Sequence, residues 1–444
     1  MMQIPPAGGN IWTNTQYLLG RAGNAPQPQS AAGQILGNLL SHLDEPTKQA
    51  YSSILSALMN GAEIQGTDAG DIILALAHAK ISAGGGDDII LAGDDAEIDA
   101  GDGDDGVFAG SYATVHAGAG NDMIMTMDGA TIETGSGNNY VSTYSYSSVT
   151  AGAGNDVIWT YDHATVDAGD GDDIVQTSDY STVAGGGGND VLQVSGHSQA
   201  SGGDGNDVVI GYSYVDLTGG AGNDAMEGGD HSTIDAGEGN DLVFAYGYST
   251  VQAGAGDDVI ITSVNNGPGQ DYQIFGYETV DAGEGNDYIQ TGAHSNVTGG
   301  TGDDVIRLTG VDSTVNFAKG DGKDTILSRD DLTINLTGYS KDDIIIDDRG
   351  DSMVISFKGS HDSLTLDMSK GMTVHLAFGD ESSMDVASTS TNARKSLATA
   401  VTGRVPILNG QIMFENQTTN LTAAEQGAQL KAQADALKAR LAAK

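Results

Sequence analysis

The chain has 444 residues, of which 65 are glycine and only 7 are phenylalanine, so it has few large side chains for a thick core. Its 61 acidic and 18 basic residues give a formal charge of −43, which argues against nucleic acid and anionic membranes as partners and favours cations. The absence of cysteine excludes disulfides and thiolate metal sites.

The first segment, residues 1–62, is predicted to be a flexible N-terminus followed by a helical cap. Two short helices are predicted, the second from Pro46 to Gly61 with Ile54 and Leu55 on its apolar face. The opening residues lack a basic start and an uninterrupted apolar stretch, so a cleaved export signal is not expected. No run reaches the ~20 apolar residues that span a bilayer, so no transmembrane segment is expected.

Residues 63–327 repeat with a period of seventeen, and an aspartate, called the key aspartate below, recurs at one place in the repeat. From the second repeat on, Gly-x-Gly-x precedes it. A fixed period of this length predicts an all-β fold, a parallel β-solenoid or β-roll with one coil per repeat. The first repeat has Asp71 but departs from the motif, and one repeat has Asn139 at this place. The key aspartates of the other repeats are Asp88, Asp105, Asp122, Asp156, Asp173, Asp190, Asp207, Asp224, Asp241, Asp258, Asp287, Asp304 and Asp324.

Each coil is predicted to contain two short strands whose inward side chains form a narrow core. The residues two after and seven before the key aspartate are almost always aliphatic, as in Ile158 and Val166. Between Asp258 and Asp287 the step is 29 residues, which indicates one coil plus a twelve-residue insertion.

The glycine-rich turns have the composition of a calcium site. Glycine allows left-handed backbone angles, and the aspartate supplies charge. A hard divalent ion takes six or more oxygen ligands, so sites are expected between successive turns, and calcium suits such a cage better than magnesium. Because no Lys or Arg occurs between Lys80 and Arg307, calcium binding and folding are expected to be one coupled event. The thirteen aspartates from Asp88 to Asp324 named above are the predicted ligands, in one column of roughly a dozen ions.

The repeats resemble those of haemolysin-type calcium-binding proteins, the repeats-in-toxin (RTX) family. The resemblance rests on Ala-Gly-Ala-Gly-Asn-Asp-Val-Ile-Trp at 151–159 and Gly-Gly-Asp-Gly-Asn-Asp-Val-Val-Ile at 202–210, and it covers roughly residues 63 to 390. Residues 319–326 and 354–360 are similar to the segment that often follows such repeats. The resemblance implies a parallel β-roll with calcium in its turns and, for most members, export from bacteria by type I secretion.

The chain departs from the family pattern in three ways. The motif occurs once per seventeen residues rather than on both edges, which favours one calcium column rather than two. Asn139 should weaken the sites beside it, and Thr67 and Ala69 stand where glycines belong, which makes Asp71 a doubtful ligand. The alternative is a metal-free solenoid in which Gly and Asp only form turns.

After the repeats the pattern changes. Residues 328–393 are predicted to form a β segment of antiparallel strands with polar turns between them. The tail, residues 394–444, is predicted to end in an Ala-rich helix with Leu430, Leu437 and Leu441 on one stripe.

Three further columns follow from the repeat. Ten residues before the key aspartate, Tyr and His nearly alternate, which predicts a stacked aromatic ladder or a surface that binds sugars or titrates near neutral pH. An interrupted outward Thr row is typical of an exposed strand, with ice binding as the alternative. Outward residues of the first strand, such as Phe108 and Trp159, are apolar, which favours cover by the terminal helices or self-association.

No catalytic motif stands out, so an enzyme is not expected. The first hypothesis is a secreted bacterial calcium-binding β-roll that folds outside the cell and acts as a structural or interaction module at the surface or in the matrix. The alternative is an RTX-type toxin or effector that acts on host cells or membranes through the N-terminal region. A polysaccharide-modifying enzyme would need a catalytic domain that the sequence does not indicate.

Overall fold

The computed structural model describes residues 53–57, 60–262, 276–328, 330–350, 352–367 and 371–387. They fall into two compact units, unit 1 up to Gly186 and unit 2 from Gly187. Each unit is a parallel β-solenoid with seventeen-residue coils, which confirms the predicted fold class. In each coil a strand of sheet A follows the key aspartate, and a strand of sheet B leads into the next glycine-rich turn.

Unit 1 has eight strands in each sheet. Those of sheet A are Ser53–Ala57, Asp71–Ala75, Ile89–Leu91, Gly106–Phe108, Met123–Met125, Tyr140–Ser142, Val157–Trp159 and Ile174–Gln176. Those of sheet B are Glu63–Gln65, Lys80–Gly85, Glu97–Asp102, Thr114–Ala119, Thr131–Ser136, Ser148–Ala153, Thr165–Asp170 and Thr182–Gly187, whose last residue is the first of unit 2.

Unit 2 repeats the arrangement and continues it past the glycine-rich repeats. Its sheet A contains Val191–Val194, Val208–Gly211, Ala225–Gly228, Leu242–Ala245, Val259–Ile261, Tyr288–Thr291, Val305–Leu308, Lys323–Leu327, Ile344–Asp348, Ser352–Phe357 and Ser363–Asp367. Its sheet B contains Gln199–Asp204, Asp216–Ala221, Thr233–Glu238, Thr250–Ala255, Thr279–Glu284, Asn296–Thr301, Thr314–Ala318, Leu332–Thr337, Thr373–Phe378 and Ser383–Ala387.

The end of unit 2 mixes parallel and antiparallel pairing. The strand Ser363–Asp367 pairs in parallel with Lys323–Leu327. The strand Ser352–Phe357 pairs antiparallel with Ser363–Asp367 on one side and with Ile344–Asp348 on the other. A 3₁₀ turn at Lys341–Asp343 leads into Ile344–Asp348. The coil arrangement therefore extends beyond residue 327, while the domain boundaries at 62, 327 and 393 stay predictions.

The core consists of the two predicted aliphatic stacks. In unit 1, Ile158 of sheet A and Val166 of sheet B are at most 2% exposed, and in unit 2 Val243 and Ile234 are fully buried. Strict register keeps like residues in contact, since Val141 pairs with Ile158 and Ile132 pairs with Val149. A period-2 strand pattern alone would leave this register open, and the seventeen-residue repeat determines it.

The predicted second N-terminal helix is wrong over the residues that the structure describes. Ile54 and Leu55 lie in the strand Ser53–Ala57, which pairs in parallel with Asp71–Ala75. All five residues of Asp71–Ala75 are buried, and its backbone groups would be unpaired at a sheet edge without this strand. Edge pairing therefore overrides the local helical pattern.

The other predicted helices, before Ser53 and at the C-terminus, lie outside the described residues. Within the ranges that the structure describes, no helix has the length and apolar character needed to cross a bilayer.

Candidate metal centre

Two glycines in each turn allow successive coils to stack closely. Gly118 and Gly120 have φ values of 104° and 147°, a region that other residues rarely adopt. A Cβ atom on Gly118 would lie 2.0 Å from the carbonyl oxygen of Gly101 in the preceding coil, and one on Gly120 would lie 1.9 Å from that of Gly103. The turns therefore stack backbone on backbone, with carbonyl oxygens at the contact.

In each unit the structure places the predicted ligands at the same point of the coil, immediately before a strand of sheet A or, for Asp324, at the second residue of one. Each of the predicted ligands from Asp88 to Asp324 is at most 3% exposed. A carboxylate is among the groups least often fully buried, because burial removes its hydration. A regular column of buried carboxylates therefore requires compensation on each coil.

Within each unit, one oxygen of the carboxylate accepts a backbone hydrogen bond from the neighbouring coil. Asp105 Oδ1 accepts a hydrogen bond of 2.8 Å from the N–H of Asp88, and Asp122 Oδ1 accepts one of 2.9 Å from Asp105. In unit 2 the bond from the Asp258 N–H to Asp287 Oδ1, also 2.8 Å, crosses the twelve-residue insertion without a change in length. These bonds link each turn to the next.

The second oxygen has no hydrogen-bond donor in seven of these aspartates. The Oδ2 atom is buried and accepts no hydrogen bond in Asp88, Asp105, Asp122, Asp156, Asp241, Asp287 and Asp304. Burial raises the pKa of Asp105 and Asp287 to about 7 and that of Asp241 to about 6, against backbone hydrogen bonds that lower it. At neutral pH these oxygens need either a proton or a cation.

The donor set fits a hard cation. Among the described residues no group of three or more acidic or histidine side chains converges, so a bound ion would take most of its ligands from backbone carbonyl oxygens. The glycine-rich turns present such carbonyls at the coil contacts, and a Cβ atom on Gly219 would lie 2.4 Å both from the carbonyl oxygen of Ala236 and from Asp224 Oδ2. Carboxylate and carbonyl oxygens are the ligands that calcium prefers.

A second ladder lies just outside the first, and the sequence reasoning missed it. The residue before the key aspartate is Asn or Asp on most coils, and its side chain accepts a backbone N–H from the following coil. Asp104 Oδ1 accepts from Asn121 at 2.7 Å, and Asn121 Oδ1 accepts from Asn138 at 2.9 Å. The recurrence of Asn or Asp at this position was the available signal. These bonds run opposite to those of the key aspartates, so each turn is tied to both neighbours.

The coil with Asn139 satisfies its own polar atoms. Asn139 Nδ2 donates to Thr134 Oγ1 and to the carbonyl of Gly137, both at 3.0 Å, and Thr134 Oγ1 donates to the carbonyl of Ala151. The other turns of unit 1 that follow the motif have Ala where this turn has Thr134. The amide and the hydroxyl together replace the unpartnered carboxylate oxygen, so this turn has no need of a cation.

The first coil also differs. Asp71 Oδ2 accepts hydrogen bonds from the backbone N–H of Thr67 at 2.8 Å and from its hydroxyl at 3.1 Å. Thr67 stands where the other turns have glycine, so a local side chain partly satisfies this carboxylate. At the other end, burial raises the pKa of Asp324 to about 8, and its Oδ1 accepts the N–H of Asp304 at 3.1 Å.

The opposite edge of the coils carries the predicted aromatic ladder, and its stacking is confirmed. In unit 1, His163 lies 4.7 Å from Tyr146 and 5.1 Å from Tyr180 between ring centroids. In unit 2, the stack runs from His197 to His294 with centroid distances between 4.6 and 5.3 Å. Because the inner rings are stacked on both faces, a sugar could contact only their edges.

Residues 80–96 and 276–306 match the RTX calcium-binding nonapeptide repeat, in four copies. These stretches contain Asp88, Asp287 and Asp304, three of the aspartates with an unpartnered Oδ2. No curated protein shows significant sequence similarity to the chain. The recognised repeats thus coincide with turns that have the buried carboxylates.

Calcium-free protein is expected to gain strand structure when the pH falls from 8 to 5. Burial raises the pKa of Asp105 in the folded state to about 7, well above the ordinary value of a carboxyl group, so its protonated form favours the folded state. This contribution is fully present near pH 4 and is lost as the pH rises through about 7. Far-ultraviolet circular dichroism in chelator measures it, and a strand signal independent of pH over this range would contradict the assignment.

The double variant Asn139→Asp with Thr134→Ala is expected to restore the common turn. Without calcium it should be less stable than the wild type by about 1–3 kcal/mol, because it buries an unpartnered carboxylate oxygen. With calcium it should bind more ions, counted by native mass spectrometry. Thr134→Ala alone is the control, since it adds no carboxylate, and an unchanged ion count in the double variant would contradict the role of Asn139.

Proposed function

We propose, from the RTX calcium-binding repeats that this chain contains, that its coils close around a column of calcium ions held by the key aspartates. The thirteen predicted ligands and roughly a dozen ions belong to this proposal. The observation that supports it is the buried Oδ2 atom that accepts no hydrogen bond, repeated on coil after coil. A calcium ion beside each such oxygen would neutralise the carboxylate and occupy its free lone pairs.

The proposed mechanism couples folding to calcium. No Lys or Arg lies between Lys80 and Arg307, so the chain supplies no positive charge of its own to most of the column. Without calcium, the carboxylates of adjacent coils repel one another at neutral pH and each pays for its lost hydration. With calcium, the binding free energy becomes folding free energy.

This coupling suits a protein that is exported unfolded and folds outside the cell. Calcium is scarce in the cytosol and abundant outside, so the same chain would be loose in one compartment and ordered in the other. RTX repeat proteins are typically extracellular, which supports secretion of this chain. We place its role in structure or interaction at the cell surface or in the matrix, without catalysis.

A calcium titration followed by circular dichroism tests the coupling. Strand signal should be low in chelator at pH 8 and rise cooperatively with calcium. Asp241→Asn should weaken calcium binding and lower the thermal midpoint in calcium by several degrees, since it removes one buried charge. Asp235→Asn, an exposed aspartate on the preceding strand, is the matched control and should have little effect. The same strand signal in chelator as in calcium would refute the proposal.

Self-association remains part of the proposal, through the outward face of sheet A in unit 1. Phe108, Met125 and Trp159 point outward there and are only half-buried. The corresponding face of unit 2 is less available, because Val208 and Leu242 are at most 4% exposed. A half-exposed apolar stripe of this kind is typical of an interface.

Sedimentation velocity in calcium tests this face. The wild type is expected to form a dimer or larger species as concentration rises, and Phe108→Glu with Met125→Glu should keep the chain monomeric. Thr131→Glu, which adds a charge on the exposed face of sheet B, is the control and should still associate. A wild type that stays monomeric at all concentrations would contradict the proposal.

A further inference from the structure

Glu278 is an isolated carboxylate inside the edge that carries the aromatic ladder. The equivalent position of other coils holds a small residue, such as Ala113 in unit 1 and Ser232 or Ser249 in unit 2. Glu278 is 1% exposed, so its side chain lies in the coil interior with the small residues of its column. This edge of the coil lies opposite the key aspartates, so the proposed calcium column does not explain why a carboxylate is buried here.

One of the two oxygen atoms of this carboxylate has a hydrogen-bond donor. Glu278 Oε2 accepts a hydrogen bond of 2.6 Å from Ser295 Oγ in the next coil. Glu278 Oε1 is buried and has no hydrogen-bond partner. Two buried hydroxyl oxygens in the same coils, Thr262 Oγ1 and Thr291 Oγ1, also have no partner. Three unpartnered buried oxygen atoms in adjacent coils are an unusual concentration of unmet bonding capacity.

The strand register places the residues that carry these oxygens at neighbouring positions on this edge. Ile261 pairs with Gln290, so Thr262 and Thr291 are neighbours in sheet A, and both are at most 1% exposed. In unit 1, Thr143 and Ser147 occupy the two positions that Thr291 and Ser295 occupy here, and their hydroxyl oxygens are 2.8 Å apart. By the same repeat, Thr262 and Glu278 hold the two corresponding positions in the preceding coil, so we expect the Glu278 carboxylate to lie toward Thr262.

Among the residues that the structure describes, this carboxylate forms no ion pair. The basic residue nearest in sequence, Arg307, alternates with the buried residues of its strand and therefore points outward from sheet A. Burial raises the pKa of Glu278 to about 7, partly offset by the hydrogen bond from Ser295. An ionised carboxylate with one free oxygen in this interior is costly unless a counter-charge joins it.

We propose that Glu278 holds a singly charged hard cation, Na⁺ foremost, together with the hydroxyl oxygens of Thr262 and Thr291. All candidate ligands are oxygen atoms, which suits hard cations. One carboxylate neutralises one positive charge, and the candidate ligands here are one carboxylate and two hydroxyls, whereas Ca²⁺ takes six to eight oxygen ligands. The site is independent of the proposed calcium column, since it lies on the other edge and uses other donors.

Thermal unfolding of the full chain in saturating calcium tests the proposal. The midpoint should be higher in NaCl than in choline chloride of the same ionic strength, by about 2 to 4 °C when Na⁺ exceeds its dissociation constant several-fold. Choline is too large for a buried oxygen cage, so it controls for ionic strength. LiCl and KCl, as further arms, should give smaller shifts than NaCl.

Two variants assign the effect to this residue. Glu278→Gln preserves the shape and removes the charge, so the midpoints in NaCl and choline chloride should become equal. Glu278→Ser introduces the residue that neighbouring coils have at this position. If Glu278→Gln does not fold, Glu278→Ser replaces it in the test and should also unfold at the same midpoint in NaCl and in choline chloride. Glu227→Gln is the matched control, because burial also raises the pKa of Glu227 but Tyr246 hydrogen-bonds to it. It should keep the Na⁺ dependence.

Three results would overturn the proposal. One is an equal midpoint in NaCl and choline chloride for the wild type. Another is a Na⁺ dependence that persists unchanged in Glu278→Gln. The third is a loss of one bound calcium in Glu278→Gln by native mass spectrometry, which would make the occupant divalent. Failure of the calcium column itself would appear separately, as a wild type that binds no calcium.

Discussion

The buried aspartate carboxylate at the glycine-rich turn is the interaction on which the stacking of the coils depends. One oxygen accepts the backbone N–H of the neighbouring coil, as Asp105 does from Asp88, and thereby fixes the spacing of the turns. The other oxygen is carried into the interior without a donor. A proton or a cation must therefore complete each turn that has such an oxygen, and the stability of the stack becomes linked to both concentrations.

The glycines and the aspartates of the turns both depend on the close stacking of successive coils. Turns that stack backbone on backbone leave no space for a Cβ atom, as the contact between Gly118 and Gly101 shows. Close stacking also shields the carboxylates from water and brings carbonyl oxygens beside them. A thin aliphatic core buries little area per coil, so the turns have to contribute a larger share of the stability than in a thick domain. The proposed calcium ions would supply that share.

Different interactions stabilise the two edges of the coil. The aspartate edge depends on charge, whereas the aromatic edge depends on ring stacking between residues such as Tyr214 and His231. Departures from the repeat are local solutions within this scheme. Asn139 brings its own amide donors to Thr134 and Gly137, and Glu278 inserts a charge where its neighbours have small side chains. In a repeat protein such departures stand out because most of the remaining coils share one pattern.

The seventeen-residue period was enough to predict the solenoid, the inward stacks, the positions of the key aspartates and the aromatic ladder. These features follow from periodicity, because residues seventeen apart must become neighbours in such a coil. It could not assign the oxygen atoms of Asp105, the pairing of Thr134 with Asn139 or the isolation of Glu278. Those depend on hydrogen bonds between coils, which exist only after the coils stack. The strand at Ser53–Ala57 was also decided by tertiary structure, since the unpaired edge of Asp71–Ala75 outweighed a local helical pattern.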